Sequence, residues 1–239
     1  MMYEFWVISL KLFYILVLDR MVTTQQVIDA QVHLWSLKNE SHPKTSQYWA
    51  EVTNGLVVIS PEIIANQINA LHDKLAEAKK EWKEILVVCE KKMYAQDLEV
   101  LSKKLWFAFL NYKIPGGFLT NFDTFKKRID NINEMSAFLE SDEFKSLTKK
   151  EQLVYKRKFL RANKVYRWVT KLTKRPDIVV VIDGTMLWNF LDEAKKVQNL
   201  ETVVLASTDF PRYRPEDEIV MTNVASHTSI DFVVKNLLS

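Results

Sequence analysis

The sequence predicts an α/β protein: a doubly wound parallel sheet with helices on both faces, into which an antiparallel helical hairpin is inserted. Three observations predict it. Short apolar runs without alternation recur at residues 85–89 (ILVVC), 179–183 (VVVID) and 202–207 (TVVLAS), the pattern of strands buried on both faces of a parallel sheet. Amphipathic stretches lie between strand candidates, and strand-helix-strand alternation implies right-handed crossovers. Between Phe122 and Leu172 the alternation stops, and apolar residues recur at helical spacing with no strand candidate among them.

In chain order, residues 5–18 (FWVISLKLFYILVL) are nearly all apolar. Such a run is shorter than the about 20 residues that cross a bilayer. It contains Lys11, follows no basic leader and precedes no small-residue cleavage site, and it is not an Arg-rich amphipathic presequence, so neither a secretory signal nor an import leader is expected. Residues 1–18 are expected to be an apolar extension covering the chain's own core or a neighbouring subunit, with membrane contact as the lesser reading. Residues 19–37 read as a helix, with Val22, Val27, Ile28, Ala30 and Leu34 near a 3.6 period and Thr23 or Thr24 as cap. On that reading His33 is a core histidine on the helix's apolar side. A polar loop follows over 38–54, then a strand over 56–59. Pro61 suits the first turn of a helix reaching about Trp82, with Ile64, Ile68, Leu71, Leu75 and Ala78 on one stripe. The strand at 85–89 leads to a helix over 90–104 and a strand over 106–110. After the hairpin come the strand at 179–183, a helix over 187–197, the strand at 202–207, a short strand at 219–221 and a helix over 229–238. The α/β domain is thus expected over 19–121 and 173–239, and the hairpin over 122–172.

The hairpin's first helix carries Phe122, Phe125, Ile129, Ile132 and Leu139 at spacings of three and four, with Thr120 and Asp123 as a capping pair. Its second begins with another capping box, Thr148 and Glu151, and carries Tyr155, Ala162, Val165, Val169 and Leu172 on its seam. Charge is segregated onto this hairpin. Residues 126–175 hold 15 Lys or Arg against 6 Asp or Glu, a net of +9, while the other residues hold 18 against 24, a net of −6. From Gln152 to Arg175 there are nine basic residues and no acidic one. A merely solvated face mixes both signs, so this one points to phosphate.

Composition excludes several classes. The 48% apolar content supports a sizeable core. One cysteine, Cys89, excludes a disulfide framework or a thiolate cluster. Four glycines, with neither GxGxxG nor GxxxxGK[ST], leave nucleotide binding without its usual signature. His72 and His227 stand apart from other ligand types, so no metal is expected, and no cofactor either. Asp183 and Asp209 end successive strands, where α/β enzymes hold catalytic acids; no nucleophile, general base or phosphate loop accompanies them, and a fold by itself licenses no function. A sugar-phosphate- or nucleotide-binding enzyme on this fold remains the competing reading. A protein-only scaffold, with salt-insensitive binding, is the third.

Several blocks carry a family resemblance in one order: DAQVHL at 29–34, HPKTSQYWAEVTNGLVVI at 42–59, ILVVCEKKMYAQD at 85–97, IPGGFLTNFDTFKKRI at 114–129, LTKKE at 147–151, PDIVVVID at 176–183, EA at 193–194, and VVLASTDFP at 203–211 with ASHTSIDF at 225–232. Together they resemble ribosomal protein two of the small subunit, of the bacterial and organellar type. The resemblance implies a flavodoxin-like (Rossmann-like) sheet with a coiled-coil arm, on the solvent side of the small subunit between head and body. It also implies contact with small-subunit ribosomal RNA and neighbouring ribosomal proteins, without chemistry. Departures lie at Gln31, where glycine is common, at Trp35 and Ser36 in place of a glycine and a second histidine, in the missing glycine before Lys91, and across the loop at 210–218.

The expected RNA-binding residues form four groups. Lys38, His42 and Lys44, with Tyr48, sit where phosphate is gripped and a base stacked. Lys91 and Lys92 follow the first long strand. Gly116, Gly117, Thr120 and Asn121 lie at a strand-to-helix turn whose N–H groups either face an RNA phosphate or serve a tight turn needing positive φ. Lys126, Lys127, Arg128, Lys156, Arg157, Arg161 and Lys164 lie on the hairpin. No small-molecule substrate, membrane span or homo-oligomer is expected. The Lys- and Phe-rich, glycine-poor composition suits an AT-rich organelle genome and a mitochondrial matrix ribosome, with bacterial cytoplasm or plastid as alternatives.

Overall fold

Runs that are apolar at every position must be covered on both faces, and the computed structural model does this with a parallel sheet flanked by helices; it describes residues 21–210 and 218–239. The apolar run at 5–18 and most of the loop at 210–218 lie outside the described residues.

The first described element is α1 (Thr24–Asp29), and here the expected long helix is corrected. Thr23 does cap it, in a reciprocal box with Gln26. The helix stops at Ala30, because Gln31 takes a left-handed φ of 56° and the chain turns into β1 (Leu34–Leu37). A 3-10 turn (Pro43–Tyr48) and β2 (Trp49–Thr53) occupy the expected polar loop, and β3 (Leu56–Ile59) runs antiparallel between β1 and β2. Non-local pairing overrode the local period: Leu34 faces Val58, and the carbonyl of His33 accepts from Ile59 N at 3.0 Å. His33 is therefore at a turn before a strand, half-buried, and not on a helix face.

Beyond this small sheet the order follows expectation. α2 (Pro61–Lys80) buries Ile64, Ile68, Leu71, Leu75 and Ala78. β4 (Ile85–Val88), a 3-10 turn (Lys92–Tyr94), α3 (Ala95–Leu105) and β5 (Ala108–Leu110) lead to the hairpin. The hairpin comprises α4 (Phe122–Glu140), a short α5 (Asp142–Ser146) and α6 (Lys149–Tyr166). β6 (Ile178–Ile182), α7 (Trp188–Ala194), β7 (Glu201–Ala206), β8 (Glu218–Met221) and α8 (His227–Leu238) complete the fold. The large sheet has the order β5-β4-β6-β7-β8, all parallel. Taken by rank within that sheet the order is 2-1-3-4-5, the flavodoxin-like arrangement. Its switch point, where ligands bind in such folds, lies between the carboxyl ends of β4 and β6.

The hairpin helices are antiparallel: Phe125 meets Tyr166 at 6.3 Å between ring centroids, and Phe138 meets Tyr155 at 4.9 Å. The Thr148–Glu151 capping box is present. The second helix ends at Tyr166 rather than Leu172, because the next residues pack on the edge of the sheet. The Trp168 ring stacks on Phe109 at 5.0 Å and its carbonyl accepts from Phe109 N at 3.4 Å, while Val169 and Leu172 join the core. No residue of α6 is fully buried, in contrast to α4, which buries five.

Cys89, just past β4, is buried, and burial pushes its thiol up to about 11. A thiol so placed reacts only when the structure opens. Iodoacetamide at pH 8 should therefore alkylate the folded chain at least about 100-fold more slowly than the urea-unfolded chain, as read by mass spectrometry; equal rates would contradict the placement of β4.

Candidate nucleic-acid interface

The turn after β5 shows how local sequence and tertiary context share a site. Gly117 needs its left-handed φ of 81°, and the chain then enters α4 with Asn121 as N-cap, whose side chain makes no capping bond. The expected Thr120–Asp123 capping pair is not what holds this helix start. Glu193, from α7, does so: its carboxylate accepts from Gly117 N at 2.8 Å, Leu119 N at 2.5 Å, and Thr120 N and Oγ1 at 2.9 and 3.3 Å. The anion expected beside Gly116, Gly117, Thr120 and Asn121 is thus the chain's own carboxylate, which satisfies N–H groups and helix dipole together.

Lys91 is revised in the same way. Its ammonium lies 2.7 Å from Asp183, with the two side chains only 18% and 12% exposed. Asp183 has a left-handed φ of 70°, and its other oxygen accepts from Met186 N at 3.0 Å. The pair sits at the switch point and neutralises it. Beside it Gly184 leaves no room, since a Cβ there would lie 2.6 Å from Val204 and 2.7 Å from Phe210. A pocket of about 160 Å³ remains, lined by Glu90, Gly116, Phe190 and Glu193 among others, well under the roughly 300 Å³ at which ordinary ligand clefts begin. Asp209 is pushed up, first by burial and then by the charge of Asp183. Asp183 therefore organises the turn after β6, and Asp209 accepts from Thr185 Oγ1 at 3.5 Å. Asp183→Asn keeps the left-handed backbone but leaves Lys91 without its anion; it should cost about 3 kcal/mol, the lower end for breaking a buried pair, measured by urea denaturation. An unchanged midpoint would show that the pair contributes nothing.

The loop expected to grip RNA is tied down. His42 N donates to Thr208 O at 2.7 Å, Thr45 Oγ1 donates to His42 O and Thr208 O, and Ser41 and Thr208 hydroxyls meet at 3.0 Å. The His42 Nδ1 accepts from Lys44 N, capping the 3-10 turn. Tyr48 packs half-buried against the core. Lys38 and Lys44 keep exposed side chains, as does Lys92.

The hairpin carries the open positive charge. Lys126 is engaged, by Asp130 at 2.9 Å and by the Leu172 carbonyl at 2.9 Å. Lys127, Arg128, Lys156, Arg157, Lys158, Arg161, Lys164 and Arg167 are exposed. Several lie over rings: Arg128 over Phe125 at 4.9 Å, Lys156 over Phe144 at 5.6 Å, Lys164 over Tyr112 at 4.0 Å and Arg167 over Trp168 at 4.6 Å. A cation held over a ring keeps its charge, so the face stays electropositive. Between α6 and the α/β domain lies a cleft of about 800 Å³ lined by Lys92, Ala95, Glu99, Asn111, Tyr112, Leu160, Asn163, Lys164, Arg167 and Trp168. It brings expected Lys92 and Lys164 together. Glu193 and Tyr112 were not expected in these roles; the first stood in the sequence only as part of the EA block, with nothing local to show its target, and the second was an aromatic following a strand, which is common in cores.

The family profile of ribosomal protein S2 matches residues 27–239. The chain belongs to the ribosomal protein S2 family. It is 30% identical over 176 residues, 74% of its length, to the small ribosomal subunit protein uS2 of Coprothermobacter proteolyticus, and 30% identical over 162 residues, 68% of its length, to that of Petrotoga mobilis. The matches span 66% and 56% of those two proteins. A protein of the same name from Pseudarthrobacter chlorophenolicus is 26% identical over 226 residues, 91% of this chain and 77% of that one. The ribosomal protein S2 family is structural and non-enzymatic. No helix among the described residues is long and apolar enough to cross a membrane.

Proposed function

We propose that this chain is a structural constituent of a small ribosomal subunit, where it binds small-subunit ribosomal RNA and neighbouring ribosomal proteins as a single copy through its hairpin, a short coiled-coil arm. One observation carries the reading: α6 buries none of its residues completely, yet presents a run of exposed cations that form no ion pair among the described residues. A helix with so little covering it is completed by something outside the chain, and a field of one sign selects polyphosphate. Relatives are found in bacteria and a plastid. The AT-rich style of composition supports a mitochondrial ribosome, and protection from protease inside purified mitochondria is the readout for that part.

The test is sedimentation of ribosomes from the native source. The chain should travel with the small subunit at physiological salt and leave it as salt is raised, in line with counterion release. A chain found only at the top of the gradient, under conditions that keep the subunit intact, would end this reading.

A further inference from the structure

The cleft between α6 and the α/β domain gathers cations and part-exposed apolar groups into one concavity. From α6 and the turn after it come Leu160, Asn163, Lys164 and Arg167, spaced so that they share one face. From the other wall come Lys92 and Glu99, with Asn111 and Tyr112 just past β5. Trp168, stacked on Phe109 at 5.0 Å, also lines it. Tyr112 is 51% exposed and Leu160 62% exposed. A phosphate alone would pair with the cations and leave both of these in water. A duplex would do the same, because its bases stay stacked and only its backbone and shallow groove are presented.

Resting on the RNA reading above, we propose that this cleft takes one unstacked nucleotide of a single-stranded RNA segment. Lys92, Lys164 and Arg167 face the flanking phosphates, and the base lies against Leu160 and the part of Tyr112 that the Lys164 ammonium, 4.0 Å from the ring centroid, leaves exposed. Its about 800 Å³ suits a nucleotide with its neighbours' phosphates. The acceptors discriminate between the two pyrimidines. Glu99 is a carboxylate, and the Asn111 amide NH₂ already donates to Ala95 O at 3.3 Å, which leaves its oxygen free to accept. A base bearing an exocyclic amino group can donate to them, as cytosine N4 does to a carboxylate, whereas uracil offers a carbonyl at that place. The cleft therefore favours cytosine over uracil.

The test is fluorescence anisotropy of the full chain with 5′-labelled r(C)6, r(U)6 and a 12-base-pair RNA duplex, with free CMP as competitor. Tyr112→Ala should weaken r(C)6 binding by at least about 5-fold, the lower end for removing one stacking platform. Tyr112→Phe should restore it, and the salt slope should be unchanged because every phosphate keeps its cation. Duplex binding should not respond to either variant. Glu99→Gln should erase the preference for r(C)6 over r(U)6. The proposal fails if Tyr112→Ala binds r(C)6 as the parent does, if r(U)6 binds as well as r(C)6, or if CMP competes as strongly as the hexamer, which would mark a free-nucleotide site. Failure here with duplex binding intact removes the cleft alone; a parent protein that binds none of the RNAs removes the ribosomal reading with it.

Discussion

Glu193→Ala should lower the stability of the chain by about 3 kcal/mol, since bonds from N–H groups to a charged acceptor contribute roughly 1.5–3 kcal/mol each and water recovers part of the loss. Three backbone donors and one hydroxyl converge on this carboxylate. Removing it leaves the start of α4 without any capping side chain, because Asn121 supplies none. For a protein of this size each kcal/mol moves the melting temperature by about 2–4 °C, so a fall of roughly 6–12 °C is expected by calorimetry. Glu193→Gln retains one carbonyl acceptor and should lose about half as much. A melting temperature within about 2 °C of the parent for Glu193→Ala would mean that the carboxylate does not hold the turn. The same variant frees the N–H groups of Gly117, Leu119 and Thr120 toward an external anion, so any gain in phosphate affinity would accompany lower stability.

Reversing Lys156, Arg157, Lys158 and Arg161 to glutamate should abolish incorporation into the small subunit without unfolding the chain. All four side chains are exposed and none is a described ion-pair partner. The melting temperature should stay within about 3 °C of the parent, as is usual for surface changes. Each phosphate deprived of its cation lowers the slope of log affinity against log salt by about 0.9 in a duplex, so replacing all four cations reduces it by about 3 to 4 units. Because reversal adds repulsion to the missing attraction, binding to small-subunit RNA near 150 mM salt should fall by at least about 1,000-fold. Undiminished incorporation of a folded variant would refute the proposed role of α6. Neutral replacement by glutamine separates the two effects: the slope should drop as far, and the affinity less.

Large parts of the architecture were legible in residue pattern because they depend on local rules. Strand runs at 85–89, 179–183 and 202–207 became β4, β6 and β7 within two residues at either end, since a strand covered on both faces has no polar position to blur it. The capping box at Thr148 was readable for a similar reason, since it closes within four residues, whereas only the structure chose Thr23 over Thr24 and rejected the Thr120–Asp123 pair. The β1-β3-β2 sheet was not readable. Its strands are short, and β1 mimics the tail of a helix until Leu34 and Leu37 find β3. The site divided likewise. Exposed cations on α6 follow from composition, whereas Lys91 and the Gly117 turn looked open and proved to be closed by Asp183 and Glu193, each more than seventy residues away in sequence.

By itself the amino-acid order determined the parallel sheet, the inserted helical pair and the sign of the charge on that pair, because period, capping and charge density are properties of neighbouring residues. Only the tertiary structure decided which charges remain available. Whether a lysine or a row of amides faces solvent or an internal carboxylate depends on partners brought together by the sheet order, and electrostatic energy falls with distance in space whatever the distance along the chain.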